Sequence, residues 1–471
     1  MEIDLKKLER SRNLHKTYFE ELNRLYQACI PEGMRVLELG CHTGRLLASL
    51  KPSYGLGIDI NPEVIAAAQH IHDERKALNF IAADVQHIDW SQHKPFDYII
   101  LSDLTPLLRD IQSTLSQIHT VCRPDTRIIL NFHNNLWQPL LNLASLLGLR
   151  KMYKGLNWLS TQDIKNLLYL SEYDVITSGT RVLLPFYLPI VTSFLNRFVA
   201  KLPGIRHLCL TCYIIARPLV DRSFKANIND LVSTSVVIPT RNEKGNIPAI
   251  FKRVPRMGKW TELIFVDGHS TDGTLEAIEE GIKRDGSKWH RTILLTQQKL
   301  GKGEAVREAF ESCEGDILMI LDSDLTMPPE DLPKYYEAIV SGKGEFINGC
   351  RLVYPMEHKA MRFLNMIANK LFAMLFTWLL DQPVKDTLCG TKVLLRRDYQ
   401  KIAANRSFFG NFDPFGDFDL LFGASRLNLK IVDLPIRYRE RTYGDIKINR
   451  WKHGWLLLKM CAVAFRKLKL N

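Results

Sequence analysis

Residues 36–44 read VLELGCHTG, an apolar run that passes directly into a short segment with glycines at 40 and 44. Such a run predicts a buried strand, and glycines just after it predict a tight turn that opens a helix. Gly40 and Gly44 carry no side chain, so the backbone there can approach a ligand closely at the helix N-terminus. The stretch therefore predicts a ligand-binding turn after the first strand of an α/β sheet.

The alternation of apolar runs and helix-like segments continues through the chain and restarts near residue 233. It predicts two parallel-sheet α/β units, and 471 residues are indeed too many for one ordinary core. For the first unit we predict an amphipathic helix at 5–29 and strands at 34–39, 55–60, 79–82, 98–101 and 127–131. For the second we predict strands at 235–238, 263–266, 292–295, 317–321 and 346–348. Residues 217–230 combine Pro218 with mixed charges and no clear periodicity, which indicates a linker between the units. We therefore predict domains at 1–220 and 233–471, joined by a linker at 221–232.

The composition is that of a folded protein, with 46% hydrophobic and 24% charged residues. Residues 1–10 are charged from the second residue onward, which is not typical of a secretory signal. The longest uncharged stretch, 182–196, is shorter than the ~18 apolar residues that a spanning helix needs. We therefore expect a cytoplasmic protein without a spanning helix. Cys209 and Cys212 form a lone C-x-x-C pair, which favours a core strand over half of a zinc site.

The net charge of +12 is concentrated near the C-terminus, where residues 441–471 hold eight Lys and Arg and one acid, Asp445. An anionic partner is expected there. Trp451 and Trp455 lie among these bases, which favours an anionic membrane surface over nucleic acid. The apolar spacing of 363–380 fits either a helix on the membrane or a core helix. We expect peripheral attachment at the inner face of the membrane and no binding of nucleic acid.

Three carboxylates stand at strand ends of the first unit. Glu38 precedes the glycine turn, Asp59 ends the second strand and Asp84 follows the third. Any one of them could simply cap a helix, because Asp is favoured at that position. Since the carboxyl ends of parallel strands share one edge of a sheet, the three together predict a single ligand crevice.

Residues 30–216 resemble the class I S-adenosylmethionine-dependent methyltransferases through E-x-G-x-x-x-G at 38–44, G-I-D at 57–59 and A-A-D-V at 82–85. The resemblance implies a Rossmann-like fold and S-adenosylmethionine as co-substrate. It implies that Gly40 and Gly44 line this donor, and that His42 replaces a second glycine usual in the family. It also assigns the methionine end to Glu38, the ribose to Asp59 and the surroundings of the adenine to Asp84.

The stretch NFHNN at 131–135 follows the fifth predicted strand, where the methyltransferases that the chain resembles often place groups facing the methyl acceptor. His133 could remove a proton from an acceptor hydroxyl, because the ordinary pKa of histidine is close to neutrality. A surface histidine without a catalytic role is the alternative.

Three strands of the second unit also end in acids, in the stretches SVVIPTRNE at 235–243, LIFVDGHSTDGT at 263–274 and ILMILDSD at 317–324. A lone D-x-D is often only a turn, but this one is the third in a series. Asp322 and Asp324 are hard oxygen ligands at the end of a rigid strand, and such ligands suit Mg²⁺ or Mn²⁺ bridging a diphosphate. The series predicts a nucleotide and metal site.

From residue 233 onward the chain resembles glycosyltransferase family 2, which has the GT-A fold. The motifs DSDLTMPPEDLP at 322–333, GKGEAV at 301–306 and DTLCGTK at 386–392 are similar to those of dolichyl-phosphate and polyprenyl-phosphate sugar synthases. This implies an inverting transfer from a UDP- or GDP-linked sugar to a polyprenyl phosphate, a dolichyl phosphate or a glycan. The resemblance assigns the nucleotide sugar to Pro239, Thr240, Glu243, Asp267, Lys302 and Asp322, and the metal to Asp322 and Asp324.

The same resemblance assigns residues to the acceptor and the diphosphate. Arg351 and Arg362 would bind an acceptor phosphate, because a planar guanidinium can bind two phosphate oxygens in a bidentate arrangement. Arg362 could equally face solvent from a helix. Arg441 and Lys447, in RTYGDIK at 441–447, would belong to a loop over the diphosphate. The catalytic candidates are Asp386, as positioning residue or base, with Asp417 and Asp419 as alternative bases.

These features predict a bifunctional enzyme that joins sugar transfer and methyl transfer in the synthesis of a lipid-linked or surface glycan. One alternative is a membrane-recruited glycosyltransferase whose first domain only binds or docks, with His42 preventing turnover. A nucleic-acid methyltransferase is a third interpretation, which no clear nucleic-acid-binding motif supports.

Overall fold

The computed structural model describes residues 15–147, 157–219, 231–354, 363–408, 416–441, 443 and 450–470. The chain forms two compact units, the first of which holds the described residues up to Leu219 together with Lys469 and Leu470. Most of the predicted linker, together with the predicted site residues Arg362 and Lys447, lies outside the described residues.

The first unit alternates strands and helices along the chain. Its described strands are β1 (Arg35–Leu39), β2 (Tyr54–Asp59), β3 (Leu78–Ala82), β4 (Tyr98–Ser102), β5 (Arg127–His133), β6 (Tyr173–Arg181) and β7 (Thr211–Pro218). Its described α-helices are α1 (Lys16–Cys29), α2 (Arg45–Ser49), α3 (Pro62–Ile71), α4 (Ile111–Ile118), α5 (Gln138–Leu146), α6 (Thr161–Leu170) and α7 (Val191–Arg197).

These strands form one sheet in the order β3-β2-β1-β4-β5-β7-β6. β1 to β5 are parallel, whereas β7 is antiparallel to both β5 and β6. The chain order reverses between β1 and β4, and open α/β sheets bind ligands at such a point, outside the carboxyl ends of the strands. The glycine turn after β1 lies at this point.

The α/β class is confirmed, and β1 to β5 match their predicted positions to within two residues. The expectation of a wholly parallel sheet was wrong for β7. β6 was not predicted because its sequence, YDVITSGTR, has no clear apolar alternation; pairing with the buried β7 holds it in the sheet. Cys209 and Cys212 are both buried, the second on β7, as expected for core residues.

The second unit repeats the alternation. Its described strands are β8 (Thr234–Thr240), β9 (Thr261–Asp267), β10 (Arg291–Thr296), β11 (Ile317–Ile320), β12 (Phe346–Cys350), β13 (Lys392–Leu395) and β14 (Ile431–Pro435). Its described α-helices are α8 (Ile247–Arg253), α9 (Thr274–Asp285), α10 (Lys302–Ser312), α11 (Leu332–Val340), α12 (Phe363–Leu380), α13 (Arg396–Ala404), α14 (Asp417–Arg426) and α15 (Arg450–Ala464).

The second sheet has the order β10-β9-β8-β11-β13-β12-β14. β10, β9, β8 and β11 are parallel, and β13 is antiparallel to β11 and β12, so this sheet is also mixed. β8 to β12 match the predicted strands to within two residues, whereas the short β13 and β14 were not predicted. The chain order reverses between β8 and β11, which places the ends of these strands at the expected ligand crevice.

The helices α12 and α15 each pack one face into the core of the second unit. Phe376 of α12 and Met460 of α15 are buried in the same apolar cluster. The core interpretation of 363–380 therefore holds for one face of that helix. Among the described residues, no helix is long and apolar enough to cross a membrane. The opposite faces of the two helices expose apolar side chains, among them Leu371, Met374, Trp455 and Leu458.

Candidate functional sites

The turn after β1 brings the backbone close to the sheet edge through two glycines in left-handed conformations. Gly40 has φ +73° and Gly44 has φ +68°, values that glycine adopts without steric cost. A Cβ on Gly44 would lie 2.3 Å from the ring of Phe80. Glu38 is buried beneath the turn, and its Oε2 accepts the Leu47 N–H at 3.1 Å, which ties β1 to α2.

Asp59 and Asp84 lie at the ends of β2 and β3, at the same edge of the sheet as the glycine turn. Asp59 accepts the N–H of His42 and the N–H of Asn61, each at 3.0 Å and each on a different oxygen. A hydrogen bond from the Gln86 N–H, at 3.0 Å, is the main cause of the lowered pKa of Asp84. Both carboxylates are partly exposed, and carboxylate oxygens have lone pairs left for ligand hydroxyls.

His42 adopts the backbone conformation that a glycine would favour. Its φ is +49°, in the left-handed region that costs most side chains energy. Its side chain is exposed, and its N–H is the donor to Asp59. The turn therefore keeps its shape despite the substitution.

A polar cluster lies at the ends of β4 and β5, and of its members Tyr18, Tyr26 and Asp103 were not predicted from the sequence. Asp103 accepts hydrogen bonds from the Tyr18 hydroxyl and the Asn131 amide, both at 2.7 Å, and Asn131 accepts one from the Tyr26 hydroxyl at 2.6 Å. His133 Nδ1 lies 3.7 Å from Asp103 Oδ1. Burial, followed by the Asp103 charge, raises the pKa of Tyr18 well above its ordinary value. The search for acids at strand ends, extended to β4, would have found Asp103.

In the second unit, the end of β8 is fixed to the D-x-D segment. The Ser323 hydroxyl donates to the Pro239 carbonyl at 2.9 Å. Thr240 is buried, and its hydroxyl donates to the Ile238 carbonyl of the same strand at 3.0 Å. This hydrogen bond stabilises the end of β8. The predicted residues Pro239 and Thr240 thus shape the edge where the acids lie.

Glu243 and Asp267 are the two buried acids beside this edge. Asp267 accepts the Ser270 N–H at 3.0 Å, and Glu243 accepts a hydrogen bond from the Asn246 amide at 2.7 Å. These bonds fix both side chains in the turns that follow β8 and β9. A nucleotide bound at this edge would meet carboxylates that are already oriented.

The D-x-D carboxylates are each paired with a cation. Asp322 lies 2.6 Å from Lys302 Nζ, and Asp324 lies 2.7 Å from Arg441 Nη2. Arg441 also contacts Glu243 at 3.1 Å, so one guanidinium joins acids from two turns. Burial opposes the ionisation of Asp322, but the charge and hydrogen bond of Lys302, together with the charges of Lys392 and Arg351, outweigh it and leave the pKa lowered. The site is a cluster of acids and bases in direct contact.

Asp386 is fully buried and forms a bidentate pair with Arg351, with distances of 2.7 and 2.8 Å. It also accepts hydrogen bonds from the Asn369 amide at 3.0 Å and the Leu388 N–H at 3.1 Å. Burial opposes ionisation, but the Arg351 charge together with the hydrogen bonds from Arg351 and Asn369 outweighs it and lowers the pKa of Asp386 to about 2. Of the two roles open to Asp386, this geometry favours positioning over proton transfer.

Asp419 is held by arginines rather than left open to a substrate. Its Oδ2 lies 2.9 Å from Arg406 Nε and 3.5 Å from Arg307 Nη1. Arg307 belongs to α10, the helix that begins at Lys302. Asp417 is the first residue of α14, and its side chain lies outside the described part of the structure.

Two family models match the chain over these two regions. A model described as a methyltransferase domain matches residues 10–178, and the model of glycosyl transferase family 2 matches residues 235–402. The chain carries a methyltransferase domain and a family 2 glycosyltransferase domain. Both resemblances drawn from the sequence are therefore confirmed. The glycosyltransferase model includes the D-x-D acids and Asp386, whereas Arg441 lies beyond the residues that it matches.

Curated relatives match the glycosyltransferase side. The chain is 35% identical over 120 residues to the undecaprenyl-phosphate 4-deoxy-4-formamido-L-arabinose transferase of Aeromonas hydrophila, which covers 25% of this chain and 36% of the relative. It is 28% identical over 224 residues to the dolichol-phosphate mannosyltransferase of Pyrococcus furiosus, which covers 46% of this chain and 60% of the relative. The chain thus spans between about a third and three fifths of the length of these two relatives.

Solved structures of methyltransferases align with part of the chain. A Thermotoga maritima S-adenosylmethionine-dependent methyltransferase, described as a possible histamine N-methyltransferase, aligns at 14% identity and a TM-score of 0.36, covering 46% of this chain and 96% of that one. A complex of the Haloferax volcanii Trm112 activator with a methyltransferase aligns at 15% identity and a TM-score of 0.34, covering 45% and 94%.

Proposed function

We propose that the chain is a bifunctional enzyme that transfers a sugar from a nucleotide sugar to a polyprenyl phosphate and a methyl group from S-adenosylmethionine to an acceptor of the same pathway. The observation that carries the sugar transfer is the convergence of Glu243, Asp322 and Asp324 with Lys302 and Arg441 at one sheet edge. A nucleotide sugar matches both charges, because its diphosphate binds cations and its hydroxyl groups donate to carboxylates.

The acceptor class is supported by Arg351 and by the relatives. Asp386 occupies the Nε and Nη2 of Arg351 and holds the guanidinium in one orientation, and an arginine has further N–H groups that can bind a phosphate oxygen. A phosphate acceptor is already ionised, so its attack on the sugar requires no general base. The names of the relatives include undecaprenyl phosphate and dolichol phosphate, which are lipid phosphates of this class.

A divalent cation fits the donor side of this site. Asp322 and Asp324 provide hard oxygen atoms, and Mg²⁺ is commonly bound by one or two carboxylates together with substrate phosphates. No group of three or more His, Cys, Asp or Glu side chains gathers as a metal cage within the described ranges. Asp322 and Asp324 would hold the cation, which would offset charge on the leaving diphosphate. Lys302 and Arg441 supply positive charge to the same diphosphate from the protein side.

For methyl transfer, the glycine turn and Asp59 form the donor half of the site. Asp59 is partly exposed and fixed by two backbone N–H groups, so it is oriented to accept the ribose hydroxyls of S-adenosylmethionine. The acceptor half is the cluster of Tyr18, Asp103 and His133 at the ends of β4 and β5. A protonated His133 beside the Asp103 carboxylate would be stabilised, so His133 is suited to take a proton from an acceptor hydroxyl.

Replacing Asp59 with alanine is expected to weaken S-adenosylmethionine binding by about 1.5–3 kcal/mol, because hydrogen bonds to a charged acceptor are worth that much. Isothermal titration of the full chain measures the effect. Asp73→Ala, which removes an exposed acid of the same unit, is the control and should bind like wild type. Unchanged binding by Asp59→Ala would contradict the assigned donor site.

The variant His42→Gly distinguishes two interpretations of the first domain, an active methyltransferase and a domain that only binds or docks. We expect binding of S-adenosylmethionine to be equal or tighter, because glycine adopts φ +49° without the cost that histidine incurs. The same titration measures it. If wild type does not bind at high micromolar ligand and His42→Gly does, the docking interpretation is correct.

The glycosyltransferase domain is proposed to attach peripherally to the anionic inner face of a membrane. Trp455 is 73% exposed and Leu458 is half exposed on α15, and α12 exposes Leu371 and Met374 while the other faces of both helices remain in the core. Deleting the tail would uncover that core, so point substitutions of the exposed residues are the better test.

The double variant Trp455→Ser, Leu458→Ser is expected to slow transfer to a long-chain polyprenyl phosphate in vesicles several-fold and to spare transfer to a short soluble analogue. Only the long acceptor must be drawn from a bilayer, and apolar side chains at the interface anchor the enzyme there. Leu231→Ser, at another exposed leucine, is the control. Equal losses on both acceptors would show that the residues act on the fold.

The proposed sugar transfer is tested by release of nucleoside diphosphate. The purified chain receives UDP- and GDP-linked sugars with Mn²⁺, and either undecaprenyl phosphate or undecaprenol. We expect release from at least one donor with the phosphate and none with the alcohol, because Arg351 requires an anionic acceptor. Equal release with both lipids would contradict the proposal.

A further inference from the structure

The methyltransferase unit exposes an unusual number of apolar side chains at one place. Six of them define what we name the apolar rim: Leu140, Leu143 and Leu147 at α5, and Tyr187, Ile190 and Phe194 in the connection between β6 and β7. Ile190 is 86% and Tyr187 75% exposed. Large exposed apolar side chains gathered in this number are typical of an interaction site.

The leucines of the rim lie on one face of α5. Positions 140, 143 and 147 are three and four residues apart, which places them on the same side of a helix. On the other side, Trp137 and Leu141 pack against the core of the unit. α5 contains no buried residue, so its apolar face is turned outward although the helix is anchored.

Two polar side chains of the β6–β7 connection, Thr192 and Asn196, face inward and bond its backbone. The Asn196 amide is buried and bonds the Leu183 N–H at 2.9 Å and the Leu184 N–H at 2.8 Å. Thr192 donates to the Phe186 carbonyl at 2.6 Å. Ile190 is held at φ +64°, a strained conformation for a β-branched residue. An ordinary surface loop has the reverse arrangement, so this connection is built to display apolar groups.

Both parts of the rim belong to segments that begin at the carboxyl edge of the sheet, because α5 follows β5 and the β6–β7 connection follows β6, which runs in the same direction as β5. The Trp137 indole N–H donates to the Leu208 carbonyl at 2.8 Å, and the Asn134 amide donates to the Cys209 carbonyl at 3.0 Å. These bonds join the start of α5 to the end of the β6–β7 connection. His133 is the last residue of β5 and pairs with Thr211, the first residue of β7.

The charges around the rim have one sign. Residues 175–216 contain no Asp or Glu, and residues 131–147 contain no Asp, Glu, Lys or Arg. The β6–β7 connection carries Arg197, which is exposed and donates to the Leu470 carbonyl, and Arg206, which is partly exposed, whereas Lys201 is buried. Apolar side chains flanked by bases, without acids, are complementary to a bilayer with anionic headgroups. A protein partner would be expected to need acids or polar rim contacts as well.

We propose that the methyltransferase unit docks on an anionic bilayer through the apolar rim. Because the rim lies beside His133, docking presents the acceptor half of the methyl site to the membrane surface, and the methyl acceptor is then a lipid-linked molecule. The identity of the acceptor rests on the proposed methyl transfer, whereas the docking does not require activity.

Hydrogen exchange of the full chain, measured by mass spectrometry, tests the docking. The chain is incubated with vesicles of phosphatidylcholine alone or with a third of phosphatidylglycerol. We expect peptides covering 136–147 and 183–198 to exchange several-fold more slowly with the anionic vesicles only. Membrane-bound protein without slower exchange in these peptides would overturn the proposal, as would equal protection by both vesicles.

A matched pair of variants checks that the side chains themselves make the contact. Tyr187→Ser with Ile190→Ser should remove the protection by anionic vesicles, whereas Tyr169→Ser with Leu170→Ser, another exposed pair, on α6, should retain it. Slower exchange at higher protein concentration without vesicles would instead identify a second copy or another protein surface as the occupant, and would overturn the proposal. If the unit docks through the apolar rim but no methyl transfer is detected, the docking proposal stands and only the proposed methyltransferase activity is refuted.

Discussion

Asp324→Asn is expected to lower sugar transfer by about two orders of magnitude or more, because removing a group that stabilises transition-state charge has an effect on the order of 100-fold to 1000-fold. The asparagine retains an oxygen that can accept the Thr326 N–H, a bond of 3.1 Å in the wild type, so the turn should persist. What it loses is the charge that holds Arg441 and would hold a cation. The measurement is the steady-state rate of nucleoside diphosphate release with undecaprenyl phosphate and Mn²⁺.

Glu279→Gln is the matched control for this variant. It neutralises an exposed acid on α9, and its rate should equal that of wild type. Near-normal turnover by Asp324→Asn at saturating Mn²⁺ would show that the D-x-D is a turn and no part of the chemistry.

Asp386→Asn is expected to lower the free energy of unfolding of the glycosyltransferase unit by about 3–5 kcal/mol, because it leaves the Arg351 charge buried without its partner. Hydrogen exchange of β12 and β13 amides in urea measures this loss within the affected unit. The double variant Arg351→Met, Asp386→Leu should recover much of the stability, since apolar side chains can replace a buried ion pair, but should remain inactive towards a lipid phosphate. Recovered activity in the double variant would contradict the role of Arg351 at the acceptor.

The pH dependence of this pair has a defined sign. The pKa of Asp386 in the folded protein is about 2, below its ordinary value of about 4. A depressed folded pKa contributes stability that is fully present above the ordinary value and is lost as the pH falls towards the folded one. The difference in unfolding free energy between wild type and Asp386→Asn should therefore shrink between pH ~4 and ~2. An unchanged difference over this range would show that Asp386 is not ionised in the folded protein.

The sequence predicted the parallel strands well because they are continuous apolar runs that end in glycines or acids. β1, β2, β8, β9 and β11 are of this kind. β6 escaped prediction because it has no clear apolar alternation, and β13 and β14 because they are short; pairing with neighbouring strands holds all three in their sheets. Local pattern carries little information about such pairings.

The candidate sites were predictable where a motif marks them and not where the partners come from distant elements. Gly40, Gly44 and Asp59 belong to local stretches, and the structure brings them to one edge. The pairing of Arg441 with Glu243 and Asp324 joins residues far apart in sequence, and no spacing rule indicates it. Tyr18 was missed for the same reason, since it reaches Asp103 from α1. The burial of Asp386 could not be predicted from the sequence either. The sequence was consistent with Asp386 as a base or as a positioning residue, and its hydrogen bonds with Arg351 and Asn369 favour the positioning role.

The central claim, that one chain performs sugar transfer to a lipid phosphate and methyl transfer, is tested most directly by mass spectrometry of a lipid extract. The purified chain is incubated with anionic vesicles containing undecaprenyl phosphate, a panel of nucleotide sugars, Mn²⁺ and S-adenosylmethionine bearing a deuterated methyl group. The account predicts a lipid that gains the mass of one sugar, lost in Asp324→Asn, and a deuterated methyl group on this lipid or a lipid-linked relative, lost in Asp59→Ala. An unmodified lipid pool with every donor, from protein that binds both vesicles and S-adenosylmethionine, would contradict it.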